Sequence, residues 1–327
     1  MSFALFSYNQ EEFIREAVRA ALAQDYEPLE IVISDDCSTD KTFQIIEEEA
    51  SSYQGPHKIT LNRNEKNIGV CSHVNKMMAM CSGDFNVGAA GDDISFPDRV
   101  SRLVQIWRQT GCSVISSNAI MIDGQGNEKE HFISTRRASK QILWTDMISA
   151  GCSCVFGAGL SWDRLVYESF GNLPEDIRNE DQLMPFRGAL LGGCYYYNQP
   201  LLYYRFHDRN ISFRRRMSSS SLSDWLELRN QDIRNRLKNV SHWLGAINTF
   251  ERKNISEEEV QFAVKQINSY CLLMECERKM ISEPILNRFF CLFQRAFDAD
   301  LMCLMKMLLL AVSPKLYACV MRAHWAR

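Results

Sequence analysis

Three apolar runs near the start of the chain each stop abruptly in a polar cluster. FALFS (3–7) gives way to YNQ, LEIVIS (29–34) to DDCSTD, and DFNVGAA (84–90) to GDD. Helical spacing fills the intervals. EEFIREAVRAALAQ (11–24) sets Phe13, Ile14, Ala17, Val18, Ala21 and Leu22 on one stripe, and its acidic start suits a helix N-terminus. KTFQIIEEEA resumes that spacing after the second run. KITLN (58–62) is a further strand, followed by a polar loop ending at Gly69 and a helix over 70–81 that carries Val70, Val74, Met77, Met78 and Cys81 on one side. Residues 97–110 read as a helix with Pro97 at or near its first position, 112–123 as a strand and 124–127 as a turn. Nearly continuous apolar strands alternating with helices predict an α/β fold, a mostly parallel sheet covered on both faces.

In such a sheet the carboxyl ends of the strands form the ligand crevice. The three polar clusters therefore converge on one edge. Asp92 and Asp93 are adjacent carboxylates that repel each other, and a hard divalent cation, Mg²⁺ or Mn²⁺, would hold them together. A solvated pair capping the 97–110 helix is the plainer alternative, and the position after a buried strand favours the cation. Tyr8 can stack on a base or simply stand half-buried at the surface. Asp35 and Asp36 can accept hydrogen bonds from a nucleobase N–H or a ribose hydroxyl. One of them can instead cap the helix that begins near Asp40, although Ser38 or Thr39 could serve there.

Composition narrows the classes. With 327 residues, 46% of them hydrophobic, the chain can form one large domain or two modest ones. A net charge of −3 gives no bulk attraction for a polyanion, so no nucleic-acid partner is expected. The 12 cysteines lack zinc-ligand spacing, Cys152 and Cys154 do not form a CxxC, and several lie in apolar runs. Reduced, buried thiols in a cytoplasmic protein are the expectation. MSFALFSYNQEEF lacks the basic start of a signal peptide, and no apolar run approaches the length of a spanning helix.

FSYNQEEFIREAVRAALAQDYEPLEIVISDDCSTDKT, then NEKNIG, then AAGDDISFPDRV, in that order and spacing, resemble the family 2 glycosyltransferases of GT-A fold. The likeness extends over about residues 3–213. It implies a nucleotide-diphosphate sugar donor and a divalent cation, Mn²⁺ or Mg²⁺. It places Tyr8 and Asp36, with Asp35 beside it, at the nucleoside. It makes Asp92 the main cation ligand and donor contact, with Asp93 adjacent. Many members write the metal motif D-x-D-D, whereas this chain reads A-G-D-D with Ala90 first, which puts the cation's coordination in question.

The resemblance continues on the acceptor side. NEDQLMPFRGALLG (179–192) places Glu180 and Asp181 at the head of a helix. Carboxylates there are favoured electrostatically in any case, so capping is the plain alternative. An inverting transfer needs a base to deprotonate the acceptor hydroxyl. The family assigns that role to the aspartate of this pair, Asp181; Glu180 reads as an orienting neighbour or a sugar-hydroxyl contact, and Asp176 lies in the preceding loop. QPLLYYRFHDRNIS (199–212), after a strand CYYYN, resembles a family segment that makes His207 a metal ligand or diphosphate contact and Arg205 a contact to phosphate oxygens.

The implied organisation is a GT-A catalytic domain over 1–213 and a helical C-terminal region over 214–327. The catalytic domain divides into a nucleotide-sugar-binding half, 1–123, and an acceptor half, 124–213. RRRMSSSS (214–221) reads as a basic loop, and Ser256 with Glu259 forms a capping-box pattern. The apolar stretch 288–327, with scattered basic residues, has three readings: packing against the other helices, a contact between copies in a homo-oligomer, or docking on the inner face of a membrane. Either of the first two is favoured over docking. The expected function is sugar transfer to a glycan or glycolipid acceptor in surface polysaccharide assembly. Two rivals stay open: a non-catalytic nucleotide-sugar-binding module, kept alive by Ala90, and a nucleotidyltransferase, which the absence of a glycine-rich phosphate loop with lysine disfavours.

Overall fold

The computed structural model describes residues 1–132, 138–150, 155–177, 180–207, 210, 222–250, 256–282 and 310. The chain forms two compact units, one of residues 1–206 with 245–251, the other of residues 207–244 and 252–327. The boundary expected after residue 213, the basic loop over 214–221 and nearly all of the 288–327 stretch lie outside the described residues.

The first unit opens with β1 (Ser2–Ser7), α1 (Ile14–Leu22), β2 (Glu30–Asp35), α2 (Thr42–Ser52), β3 (Lys58–Arg63), α3 (Val70–Met80) and β4 (Phe85–Ala90). Strands β3, β2, β1 and β4 lie side by side and all parallel, with Ser7 level with Asp35 and Phe6 level with Ala90. The register sets the polar ends of β1, β2 and β4 at one height on one edge. Helix α1 buries Ile14, Ala17, Val18 and Ala21, the stripe that its spacing predicts. They join Phe3, Leu5, Ile31, Ile33, Phe85 and Val87 in the main core.

Beyond β4 the sheet is mixed rather than mostly parallel. A two-residue strand β5 (Ile94–Ser95) and helix α4 (Arg99–Thr110) lead to β6 (Val114–Asp123), β7 (Glu128–Phe132), β8 (Lys140–Ile142) and α5 (Trp144–Ala150). A single 3-10 turn (Gly157–Gly159) precedes β9 (Leu160–Asp163), α6 (Leu165–Phe170), α7 (Glu180–Leu191) and β10 (Cys194–Phe206). Strand β9 runs antiparallel between β4 and β6, and β10 pairs parallel to β6 and antiparallel to β5 and β8. The 3-10 turn at the head of β9 therefore sits on the same edge as the end of β4. Pro97 lies two residues before α4, and the start of that helix is served from elsewhere: Gln24 Oε1 accepts the Val100 N–H at 3.1 Å.

The second unit contains most of α8 (Leu222–Thr249) and all of α9 (Glu257–Ser282). Trp225, Ile233, Val240 and Trp243 are buried along α8, and Val260, Ala263 and Ile267 along α9. Arg229 on α8 grips Glu277 on α9 with two bonds, Nε to Oε1 at 2.6 Å and a terminal nitrogen to Oε2 at 2.9 Å. The expected capping box is present: Ser256 Oγ accepts the Glu259 N–H at 3.2 Å and Glu259 Oε2 accepts the Ser256 N–H at 2.8 Å. No helix among the described residues is long and apolar enough to cross a membrane.

Candidate active site

The loops after β1 and β2 are stitched to each other. Asn9 sits at φ 52°, a left-handed conformation that asparagine tolerates, and its Oδ1 accepts the Thr39 N–H at 2.8 Å. Ser38 Oγ accepts the Asn9 N–H at 2.8 Å and Thr42 Oγ1 accepts the Gln10 N–H at 2.7 Å. Glu11 Oε2 accepts the Lys41 N–H at 3.0 Å, and Asp40 Oδ2 accepts the Glu11 N–H at 3.2 Å. Asp40 also meets the Thr42 N–H at 2.9 Å, so it serves the start of α2 in place of Ser38 or Thr39. Tyr8 leaves this stitched region 45% exposed, a flat aromatic surface facing water.

Asp35 is fully buried and engaged by its own loop. It accepts the Ser38 N–H at 2.8 Å, the Ser38 hydroxyl, and the Ser7 hydroxyl at 3.3 Å, with Arg63 Nε 3.7 Å away. Asp36, 4% exposed, reaches the other way. Its Oδ1 accepts Asn64 Nδ2 at 2.8 Å and the Ile68 N–H at 3.0 Å, and its Oδ2 accepts the Gly69 N–H at 3.1 Å. Asp36 thereby fixes the NIG loop and the entry to α3. Behind it runs a polar chain: Asn64 Oδ1 accepts Lys76 Nζ at 2.7 Å and Asn62 Nδ2 at 3.0 Å, while Ser34 Oγ meets Asn62 at 2.8 Å and His73 Nε2 at 2.7 Å. Burial pushes the His73 ring below the usual histidine range.

The second pair is held differently. Gly91 N–H donates to Phe6 O at 2.8 Å, which draws the loop after β4 against β1. A Cβ there would lie 2.5 Å from Gln10 Oε1 and 2.8 Å from Ile14 Cδ1, so any larger residue would have to push these two side-chain tips aside. Asp92 follows half-buried, and Asp93 is 4% exposed. Asp93 Oδ1 accepts the backbone N–H of Arg205 at 3.0 Å, and its buried Oδ2 meets no donor. Burial, reinforced by the neighbouring Asp92 charge, raises the Asp93 carboxyl well above the ordinary range. Neither aspartate caps α4.

A divalent cation fits this pair, because the buried Asp93 oxygen meets no donor and a cation would offset the repulsion between the two carboxylates. Among the described residues no three His, Cys, Asp or Glu side chains form a metal-holding group. The expected third ligand, His207, belongs to the second unit, where its backbone N–H donates to Asn210 Oδ1 at 2.6 Å. The pair would supply two protein ligands, and the remaining positions would fall to phosphate oxygens and water.

Arg205 corrects another expectation. Its guanidinium is 2% exposed and stacked over the Phe13 ring at 4.9 Å. Nε donates to the Asp92 carbonyl at 3.0 Å, one terminal nitrogen to the Asp123 and Gly124 carbonyls at 3.4 and 3.3 Å, and the other pairs with Glu16. Buried and engaged on these groups, Arg205 supports the aspartate loop from beneath and does not present its donors to phosphate.

Glu180 and Asp181 head α7 and are half-buried. The 3-10 turn packs directly on Asp181: a Cβ at Gly157 would lie 2.7 Å from Asp181 Oδ2. Close by, Cys71 on α3 is pushed up to about 12 by burial and by the charges of Glu180, Asp181 and Asp176.

Sequence reasoning passed over two residues here, Arg99 and Gly157. Arg99 falls on the buried stripe of α4 with Leu103 and Ile106, where a charged residue is out of place, and that misfit is the signal. Gly157 had no local signal, because its constraint comes from a residue 24 positions away along the chain.

Comparison with known proteins agrees with this architecture. Putative glycosyltransferase EpsE of Bacillus subtilis is 33% identical over 120 residues, 36% of this chain and 42% of that protein, so the match spans less than half of that relative. The putative teichuronic acid biosynthesis glycosyltransferase TuaG, also of Bacillus subtilis, is 25% identical over 212 residues, 63% of this chain and 79% of its own. In fold, the chain resembles the mannosyltransferase PcManGT of Pyrobaculum calidifontis, solved with GDP-Man and Mn²⁺. The TM-score is 0.56 at 16% identity, over 98% of this chain and 83% of that one. The α/β unit is thus of GT-A type, with helices following it. The model of glycosyl transferase family 2 matches residues 2–163, which run from β1 to β9 and carry Tyr8, both aspartate pairs and Gly157.

Proposed function

We propose that the chain transfers a sugar from a nucleotide-diphosphate sugar to an acceptor hydroxyl, with inversion at the anomeric carbon and with a divalent cation, in the assembly of a surface polysaccharide. The observation that carries this reading is the gathering, on one sheet edge, of an exposed aromatic, a loop-fixing aspartate and an aspartate pair with a buried oxygen short of a partner. Tyr8 would cover the base and Asp36 would meet the nucleoside through the lone pairs its loop leaves over. Asp92 and Asp93 would hold the cation, Mn²⁺ or Mg²⁺. When bound, the cation neutralises charge developing on the departing diphosphate. Asp181 would take the proton from the acceptor hydroxyl, with Glu180 orienting it. TuaG, named for teichuronic acid biosynthesis, supports a glycan or glycolipid acceptor. The GDP-Man and Mn²⁺ in PcManGT support the donor class and the cation class.

The test is release of nucleoside diphosphate from a panel of nucleotide sugars, with Mn²⁺ or Mg²⁺ and with chelator. Cation-dependent release from one donor supports the reading. Tight, cation-dependent binding of a donor with no turnover toward any glycan acceptor or water would instead identify a nucleotide-sugar-binding module, the alternative that Ala90 keeps open.

A further inference from the structure

Arg99 is a charged side chain sealed in the core of the first unit, with no exposed surface at all. A guanidinium in that position needs carbonyl and hydroxyl partners, and the partners it has come from three separate segments. One terminal nitrogen donates to Ser95 Oγ at 2.8 Å, in the strand that follows the Asp92–Asp93 loop. The other donates to Gly88 O in β4 at 2.8 Å and to Ala158 O in the 3-10 turn at 3.0 Å. Asp93 is the carboxylate whose charge favours the Arg99 cation, while burial brings the guanidinium down to about 10. Ala158 follows Gly157, the residue pressed against the Asp181 carboxylate. One rigid fork thus touches the strand that delivers the aspartate pair, the strand that follows it and the turn that packs on Asp181.

We propose that Arg99 is a positioning residue that sets the Gly157–Gly159 turn, and through it the Asp181 carboxylate, in register with the Asp92–Asp93 loop. The proposal rests on the reading of Asp181 as base and of the aspartate pair as cation site. Lysine at this position keeps the charge beside Asp93 but cannot span two carbonyls and a hydroxyl with planar geometry. The cation site should survive Arg99→Lys, and the register of Asp181 should not.

The experiment compares wild type, Arg99→Lys and Gly157→Ala in three measurements. Calorimetry with GDP and Mn²⁺, and with UDP and Mn²⁺, reads the donor side. Hydrolysis of the donor found in the nucleotide-sugar panel reads turnover. A crystal structure of each variant reads the contact between residue 157 and Asp181. Expected for Arg99→Lys are nucleotide and Mn²⁺ affinities within about twofold of wild type, a displaced turn, and turnover lower by roughly 10–10²-fold, the effect of a misplacement near 1 Å. Gly157→Ala, which disturbs the same contact from the other side, should show the same split. If Arg99→Lys does not fold, Gly157→Ala alone decides, and normal turnover in it overturns the proposal. An unmoved turn in Arg99→Lys overturns it too, whatever the donor proves to be. Equal loss of nucleotide affinity and turnover would also overturn it, by placing Arg99 on the donor side. Absence of any donor turnover in wild type would count against the proposed function and leave the crystallographic comparison to decide the role of Arg99.

Discussion

Two Asp–Asp pairs leave strands on either side of β1, and the protein treats them in opposite ways. Asp35 and Asp36 accept six bonds from their own surroundings: two from Ser38, one from Ser7, and those of Asn64, Ile68 and Gly69. Asp93 receives one backbone N–H, and its other oxygen lies buried without a donor beside the Asp92 charge. The first pair is completed within the fold and shapes loops. The second keeps a buried Asp93 oxygen that no donor meets, with the charges of Arg99 and Arg205 acting on that carboxylate through space. Identical dipeptides after a buried strand thus diverge according to the donors that neighbouring loops bring to them.

The largest predicted effect separates chemistry from both pairs. Asp181→Asn keeps shape and hydrogen-bonding capacity but removes basicity. Donor and Mn²⁺ binding should persist while transfer falls by roughly 10²–10⁴-fold. Near-normal turnover together with an unchanged melt would assign Asp181 to capping, a role asparagine fills well.

The next tests the unfinished pair. A ligand at a hundred times its Kd stabilises a protein by about 2.7 kcal/mol. Wild type should gain stability of that order from saturating Mn²⁺ with nucleoside diphosphate, and chelator should remove the part due to Mn²⁺. Asp92→Asn should lose most of the Mn²⁺-dependent gain; an undiminished shift in its melting temperature places the cation elsewhere.

Asp36→Ala probes the finished pair. It deprives Asn64 and Ile68 of their acceptor and leaves Gly69 only the Asn67 side chain at 3.1 Å. Each buried donor left unsatisfied costs about 1–3 kcal/mol, so urea denaturation should reveal a clear loss of stability with or without nucleotide. Stability equal to wild type would mean that the loop re-forms without this carboxylate.

The smallest effect has the opposite sign. Because the folded protein raises the Asp93 carboxyl, it holds that proton more tightly than the unfolded chain does. The contribution of this group to stability therefore declines as pH rises from the unfolded value, about 3.9, through the raised folded one. Asp93→Asn should melt above wild type at neutral pH in metal-free buffer and show a flatter pH dependence in that window. A lower melting temperature would show that ionised Asp93 is already balanced by Arg99 and Arg205.

The parallel half of the sheet was readable because its strands are short, apolar and separated by clear helical stripes. The expected ends of β1, β2, β3 and β4 lie within a residue or so of those observed. Legibility fell where pairing is non-local. Strand β10 runs on through Phe206, beyond the expected CYYYN segment, because Leu202 and Tyr203 pair with Ser95 and Ile94 far back in the chain. That pairing also inverted the reading of Arg205. Basic and close to a histidine, it looked like a phosphate ligand. Once β10 is extended, Arg205 falls at its buried end, under the Asp92 carbonyl. The candidate site was visible as residue types after strands. Its supports, Gln24 at the start of α4 and Arg99 beneath the turn, act over 59 to 76 positions and carry no local pattern.

The stitching of the β1–α1 and β2–α2 loops limits how this protein can be rebuilt. Five reciprocal bonds tie Asn9, Gln10 and Glu11 to a segment about 30 residues further on. Most of those on the second loop depend on particular side chains, Ser38, Asp40 and Thr42, and Asn9 contributes the answering amide. A chimera that imports one loop from a relative would strand the backbone donors of the other. Exchange of donor preference between family members, in the laboratory or by recombination, would therefore have to carry residues 8–42 as one cassette, β2 included, so that this part of the domain is inherited as a block even though it is drawn as two loops.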